Sequence, residues 1–214
     1  MQNAPARLLA EFLGVFFLCF FGIGAITNGA ELTGVALAHG IAIFVAIAAF
    51  AHVSGAHFNP AVTTALAATR RIAPVDAVAY IVAQLLGGLV AAFVADYTFG
   101  TLSGVPALAA GATTSNGILV EAIATFILMI TIMGVAVDSR GSFSSISGLP
   151  IGLAITGSIM FAGPVTGAAL NPARWFGPAL VAGDLSNAVV WIVGPIVGAL
   201  LAAFIYDAVV KPAK

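Results

Sequence analysis

Long apolar runs, each about as long as a bilayer core is thick, alternate with short polar breaks along the whole chain. Six stand out: Leu8 to Thr27, Leu32 to His52, Val75 to Phe99, Ile118 to Val137, Ile146 to Ala162 and Ala188 to Val210. An α-helix rises 1.5 Å per residue, so about 20 apolar residues cross the hydrocarbon core and each run predicts one spanning helix. The breaks are loop-sized and leave no room for a soluble domain, so residues 1–214 read as one membrane domain. Arg7 followed by Leu8 to Phe21 has the outline of a secretory leader, but no clear cleavage site follows and later helices need a first partner. It reads as a retained span. Two shorter apolar segments, residues 60–69 and 172–182, each begin at the proline of an Asn-Pro-Ala and run for only about ten residues, roughly 15 Å or half a core.

Composition agrees. The chain is 61% hydrophobic and 7% charged, with a mean hydropathy of +1.14, against roughly 25% charged residues in a soluble domain. The charges are also sorted. On a six-span plan Arg7, Arg70, Arg71, Arg140, Lys211 and Lys214 fall on one side, which the positive-inside rule makes cytoplasmic, with both termini there. Glu31, Asp96 and Asp184 fall on the other, where Arg174 is the one basic residue. Cys19 is the only cysteine, which excludes an intrachain disulfide.

The chain repeats itself. "AVAYIVAQLLGGLVAAF" from Ala77 matches "AVVWIVGPIVGALLAAF" from Ala188, and the motif asparagines Asn59 and Asn171 stand at nearly the same offset, as do Glu11 and Glu121. Two halves, about 1–100 and about 116–214, therefore hold three spans each. An odd number of spans turns the second half upside down, the inverted repeat of many transporters. The predicted fold is an all-α membrane protein of six transmembrane helices and two half-helices. Small residues four apart, Ala83 with Gly87 and Gly194 with Gly198, predict close helix crossings.

Asparagine is a strong N-cap and proline suits the first helical position, so Asn59-Pro60-Ala61 and Asn171-Pro172-Ala173 each start a helix. Half-helices entering from opposite faces would meet N-terminus to N-terminus at the midplane. Each end carries roughly half a positive charge, which disfavours cations there. The irregular backbone before each start must be buried in protein or line a wet cavity, because lipid offers it no hydrogen bonds. Gly55 and Gly167 let the chain fold back. The simplest arrangement is a pore between the halves, whose Asn amides donate to a passing water and interrupt a proton wire. Asparagines that merely cap broken helices are the plainer alternative.

"SGAHFNPAVT" and "NPARWFGPAL" closely resemble the two signature loops of the aquaporins, the major intrinsic protein family, and the likeness runs along the whole chain. The resemblance implies a homotetramer with one pore per subunit and passive conduction of water and small neutral solutes. It also implies a selectivity filter of His39, Ile159, Ala168 and Arg174, a set similar to that of plant tonoplast intrinsic proteins, many of which pass ammonia. Physics supports Arg174 separately: a charge within the membrane costs roughly 2.5 to 3.5 kcal/mol, so it tends to mark a functional path. Ile159 removes one hydrogen-bonding wall of such a filter, while His39 supplies another that can donate or accept. Trp175 and Val190 depart from the family pattern.

Glu11 and Glu121 are expected to accept backbone N–H groups from the motif loops, with a proton relay as the alternative. The family pattern puts His57 near the cytoplasmic entrance, to brace its loop or to titrate as a gate. His52 is expected to pack among helices, and no cysteine or carboxylate cluster accompanies it to hold a metal. Cys19 lies outside the motif loops, which predicts poor inhibition by mercurials. No phosphate loop, nucleophile–base pair or metal cluster points to an enzyme, a cofactor or a nucleic-acid partner. The expectation is a channel for water, with ammonia or another small neutral solute beside it, exclusion of protons and ions, and membrane lipid as surroundings. A glycerol or urea facilitator and a closed-pore membrane scaffold are the competing readings. The short loops suit a prokaryotic plasma membrane.

Overall fold

Prolines and motif asparagines set where helices begin. The computed structural model describes residues 3–141 and 143–210, so Lys211 and Lys214 lie outside the described residues. Its helices are α1 (Ala4–Thr27), α2 (Leu32–Ser54), α3 (Pro60–Ala68), α4 (Pro74–Phe99), α5 (Thr114–Ile132), α6 (Gly148–Thr166), α7 (Pro172–Ala182) and α8 (Ala188–Ile205). Single π-helical turns, Met133–Val137 and Tyr206–Val210, extend α5 and α8. Proline stands in the first turn of α1, α3, α4 and α7, where its missing N–H costs nothing. Six of the elements are long and apolar enough to cross a membrane, and the short α3 and α7 are the two half-helices.

Boundaries differ from the pattern at several helices: α1 starts at Ala4 and α5 at Thr114, each ahead of its apolar run. The fifth apolar run reads as Ile146 to Ala162, yet α6 starts at Gly148 and continues through Pro164 to Thr166. The extension has a cause: the Thr166 hydroxyl is tied to the Glu121 carboxylate, which holds the last turn helical past the proline.

Packing follows matched pairs. α1 lies against α4 and α2 as α5 lies against α8 and α6, α3 packs on α8 as α7 packs on α4, and α2 and α6 cross between the two sets. In lipid this association rests on close van der Waals contact rather than on a hydrophobic drive, so small residues sit at the crossings. A Cβ placed on Gly87 would meet the Phe12 carbonyl oxygen at 2.3 Å, and one on Gly198 would meet that of Ala122 at 2.1 Å. The four-residue steps are thus points of backbone-to-backbone approach.

Arg7 lies 3.9 Å from Asp76, and Arg71 binds Asp207 through two hydrogen bonds of 2.8 and 2.6 Å. Arg140 pairs with Asp138, which also accepts from the Tyr206 hydroxyl at 2.9 Å, so the end of α5 is laced to the end of α8. The Arg140 guanidinium holds the Asp138 carboxyl well below the ordinary carboxylate range.

His52 corrects an expectation. It is exposed instead of packed among helices. Thirteen residues separate it from the buried His39, and at about 100° per residue that places it roughly 220° around the helix, off the buried face.

Gly198→Val should overpack the α5–α8 crossing, where the obstacle is backbone that cannot swing away, at a cost of about 1–3 kcal/mol. A lower unfolding temperature in detergent is expected, and an unchanged one would show that the crossing can open without cost.

Candidate functional site

Between α2 and α3, and again between α6 and α7, the chain takes the same unusual course. Gly55, Ala56 and Phe58 have φ of 89°, 54° and 50°, and Gly167, Ala168 and Leu170 have φ of 75°, 47° and 55°. Glycine accepts the left-handed region freely, but each alanine, phenylalanine or leucine there costs roughly 1–2 kcal/mol. Something must hold these loops.

Two buried carboxylates do so. Glu11 on α1 accepts from the Ser54 hydroxyl at 2.7 Å, the His57 N–H at 3.0 Å, the Phe58 N–H at 2.7 Å and the Gln84 amide at 2.7 Å. Glu121 on α5 accepts from the Thr166 hydroxyl at 2.6 Å, the Ala169 N–H at 2.9 Å and the Leu170 N–H at 2.7 Å. Ser54 and Thr166 in turn accept from the N–H two residues on, at 3.0 and 3.1 Å. Every partner of the two carboxylates is a donor, the set that an acceptor-only group requires.

The two loops also hold each other. The Asn59 side-chain amide donates to the Leu170 carbonyl at 2.9 Å, and that of Asn171 donates to the Phe58 carbonyl at 2.7 Å. Each Asn oxygen accepts from its own helix start, from the Ala61 N–H at 2.8 Å and from the Ala173 N–H at 3.0 Å, so α3 and α7 point their N-termini at one another. Since an amide nitrogen carries two hydrogens, one on each Asn stays unspent.

Asn59 and Asn171 border a narrow cavity of about 70 Å³, against the roughly 10–15 Å³ that one water requires. One wall is aliphatic, from Ile43, Ile47, Leu128, Ile151, Ile155 and Ile159, and the other is loop backbone from Gly55 to Phe58 and Ala168 to Leu170. The carbonyls of Gly55, Ala56, His57, Ala168 and Ala169 have no hydrogen-bond partner among the described residues. They remain able to accept hydrogen bonds from a molecule that donates them.

Along α2 the cavity runs from His39 to Gly55, about 24 Å of helix, so His39 marks one end with Ile159 and Ala168, and Arg174, not itself bordering the cavity, lies against His39. Arg174 is 4% exposed, and no carboxylate lies within 4.0 Å of it among the described residues. Its Nη1 donates to the Gly104 carbonyl at 3.0 Å and its Nη2 faces His39 Nε2 at 3.3 Å, while Nε is buried with no partner. A guanidinium only donates, so His39 Nε2 accepts, and His39 Nδ1 carries the proton that meets the Val35 carbonyl at 2.8 Å. Both ring nitrogens are engaged. His39 therefore offers no free hydrogen-bonding wall, contrary to the expectation from sequence, and instead positions Arg174.

The two departures from the family pattern belong to packing. Trp175 stacks on Trp191 with ring centroids 5.6 Å apart, Val190 is fully buried beside them, and Trp191 Nε1 donates to the Thr166 carbonyl at 3.0 Å. Neither Trp175 nor Val190 borders the cavity. His57 borders it at the end away from His39, and Cys19 is buried at 2% exposure within α1. Reasoning from sequence missed Gln84, Thr63, Ser54, Thr166 and Gly104. An amide in the middle of an apolar run was a readable signal for Gln84, whereas Gly104 acts only through its carbonyl and leaves no trace in side-chain pattern.

Known proteins show the same plan. The family model described as major intrinsic protein matches residues 2–206. Aquaporin TIP2-1 of Arabidopsis thaliana is 42% identical over 212 residues, spanning 92% of this chain and 84% of that one. Aquaporin AqpM of Methanothermobacter thermautotrophicus is 39% identical over 242 residues, spanning 97% and 98%. The X-ray structure of the aquaglyceroporin from Plasmodium falciparum superposes with a TM-score of 0.89 at 26% identity, covering 97% of each chain. With six apolar spans, two opposed half-helices and these relatives, the chain belongs to the major intrinsic protein family and is an integral, multi-pass membrane protein.

Proposed function

We propose that this protein is a passive channel for water and small neutral solutes, ammonia among them, that excludes protons and ions and performs no chemistry. The observation that carries the reading is the reciprocal clamp of Asn59 on Leu170 and Asn171 on Phe58 at the middle of a narrow cavity. It aims two helix N-termini, with their partial positive charge, at the place a permeant must cross. A cation meets that field and then the unpaired Arg174, whereas water can accept from the spare Asn hydrogens and donate to the loop carbonyls.

In this reading His39, Ile159, Ala168 and Arg174 are the selectivity filter. Asn59, Pro60 and Ala61 with Asn171, Pro172 and Ala173 form the central constriction, and Glu11, Glu121 and His57 brace the loops. Residues 1–214 form one channel domain of two inverted repeats, about 1–100 and about 116–214. The matched helix pairs and the matched carboxylate clamps support that division. A homotetramer embedded in lipid follows from the family. Both termini on the cytoplasmic side of a prokaryotic plasma membrane follow from the basic residues gathered at one end and the short loops.

A glycerol or urea facilitator is the second reading, favoured by the aliphatic wall and by the aquaglyceroporin likeness. Against it, the His39–Arg174 pair leaves only Arg174 donors at the filter, too few for a polyol with several hydroxyls. A membrane scaffold with a closed pore would conduct nothing.

Stopped-flow measurements on proteoliposomes decide among these. Osmotic shrinkage well above protein-free vesicles, ammonia entry above the lipid background and glycerol entry at that background are expected. Fast glycerol would move the facilitator to the front, and no flux at all would leave the scaffold. Arg174→Val removes the filter's donors and its charge, together on the order of 1.5–3 kcal/mol and so roughly tenfold or more in discrimination. Glycerol or cation entry should rise accordingly, and unchanged selectivity would place the filter elsewhere.

A further inference from the structure

Three histidines are present, and the filter accounts for only one of them. His57 stands at the other end of the cavity, and its surroundings decide which ring nitrogen holds the proton. Its Nδ1 lies 3.2 Å from the Thr63 hydroxyl oxygen. That oxygen also lies 2.9 Å from the Gln84 amide nitrogen, which donates to Glu11 as well.

The direction of each bond can be worked out from Glu11. Its Oε2 already accepts from the Phe58 N–H, so turning the Gln84 oxygen toward it would set acceptor against acceptor. The Gln84 nitrogen therefore faces Glu11, and its second hydrogen goes to Thr63. The cost of this orientation is visible: Gln84 Oε1 is buried without a partner. Thr63 is fully buried and, having accepted from Gln84, must place its own proton. Threonines elsewhere in helices send it to the carbonyl four residues back, as Thr64, Thr69, Thr125 and Thr131 do at 2.7–2.8 Å. Thr63 makes no such bond among the described residues, and its hydroxyl is turned to His57 instead.

We propose that Gln84 and Thr63 lock His57 in the tautomer protonated on Nε2, so that the pore meets a fixed hydrogen-bond donor at the end opposite Arg174. They are positioning residues, acting through His57, and the inference rests on the channel reading. A donor of fixed sense orients each entering water with its oxygen toward the imidazole.

The second half of the chain supports treating the trio as a unit. At the positions matching His57, Thr63 and Gln84 stand Ala169, Trp175 and Pro195, so all three members are missing together. The room is filled by the Trp175–Trp191 stack. Only the backbone-binding duty is kept: the Tyr80 hydroxyl donates to the Ser54 carbonyl at 2.8 Å as Trp191 donates to that of Thr166.

The test is 15N NMR of histidine-labelled protein in liposomes, with His57 assigned by the signal lost in His57→Asn, alongside water flux from the same preparation. In the wild type, a protonated Nε2 and an unprotonated, hydrogen-bonded Nδ1 are expected. Thr63→Val should move the Nδ1 resonance to that of an unbonded acceptor and lower water flux roughly two- to fivefold, the scale of one ordinary hydrogen bond. Thr63→Ser should restore both. Gln84→Glu is the sharper variant: sharing one proton with Glu11, it would accept from Thr63 and flip His57 to the Nδ1–H form. A protonated Nδ1 in the wild type overturns the proposal, as does an Nδ1 signal that Thr63→Val leaves unmoved. A locked tautomer in a protein without water flux would overturn the channel reading alone, since the spectrum does not depend on conduction.

Discussion

Everything else in this structure depends on a carboxylate buried where lipid-embedded proteins least tolerate one. Taking an unpaired carboxylate out of water costs several kcal/mol, and residues such as Ala56, Phe58, Ala168 and Leu170 cost roughly 1–2 kcal/mol each in the left-handed region. Neither would persist alone. Together they offset one another: the twisted loops turn consecutive N–H groups inward, and charge-assisted bonds of about 1.5–3 kcal/mol each meet them at Glu11 and Glu121. With those N–H groups fastened on the outer side, the loop carbonyls are left for the cavity. The strain of the loops is thus part of what makes a polar track possible inside an apolar protein.

The same logic explains which features could be read from the sequence. Six spans, two half-helices and their order follow from apolar run length and from Asn-Pro starts, because those signals are local. The pairing of Glu11 with Glu121 was visible because buried acids are rare in apolar runs and these two share an offset with the motifs. The six left-handed residues were not legible beyond Gly55 and Gly167, since Ala56 and Ala168 adopt that region only under a constraint arriving from another helix. His39 shows the limit most clearly. Its identity suggested a versatile filter wall, but the Val35 carbonyl, one helical turn back, and Arg174, 135 residues away, use both of its nitrogens, and spacing alone does not show that both are spent.

Two halves with one backbone plan carry different side chains around it. Glu11 has four donors and Glu121 three, the difference being Gln84, whose counterpart Pro195 has no amide to give. At one end of the cavity this leaves a polar relay behind the loop, and at the other a stacked pair of indoles beyond it. The backbone therefore supplies what both ends need, a fastened loop and a helix start. The side chains set what differs between them, a guanidinium at one mouth and an imidazole at the other.

That division bears on how a pore can be permeable and selective at once. Among the described residues no carboxylate borders the cavity, so nothing along the path offers a cation a compensating charge for its lost hydration. The donors sit at defined points, Arg174, the two asparagines and His57, while the acceptors are loop carbonyls spread between them. In the proposed channel, a water crossing this arrangement would exchange one set of hydrogen bonds for another and turn as it passes the central asparagines, where both helix starts would repel a proton. Selectivity then needs no tight steric fit along the whole path. It needs donors that cannot reverse, which is why the partners that fix Arg174 and His57 matter as much as the residues that touch the solute.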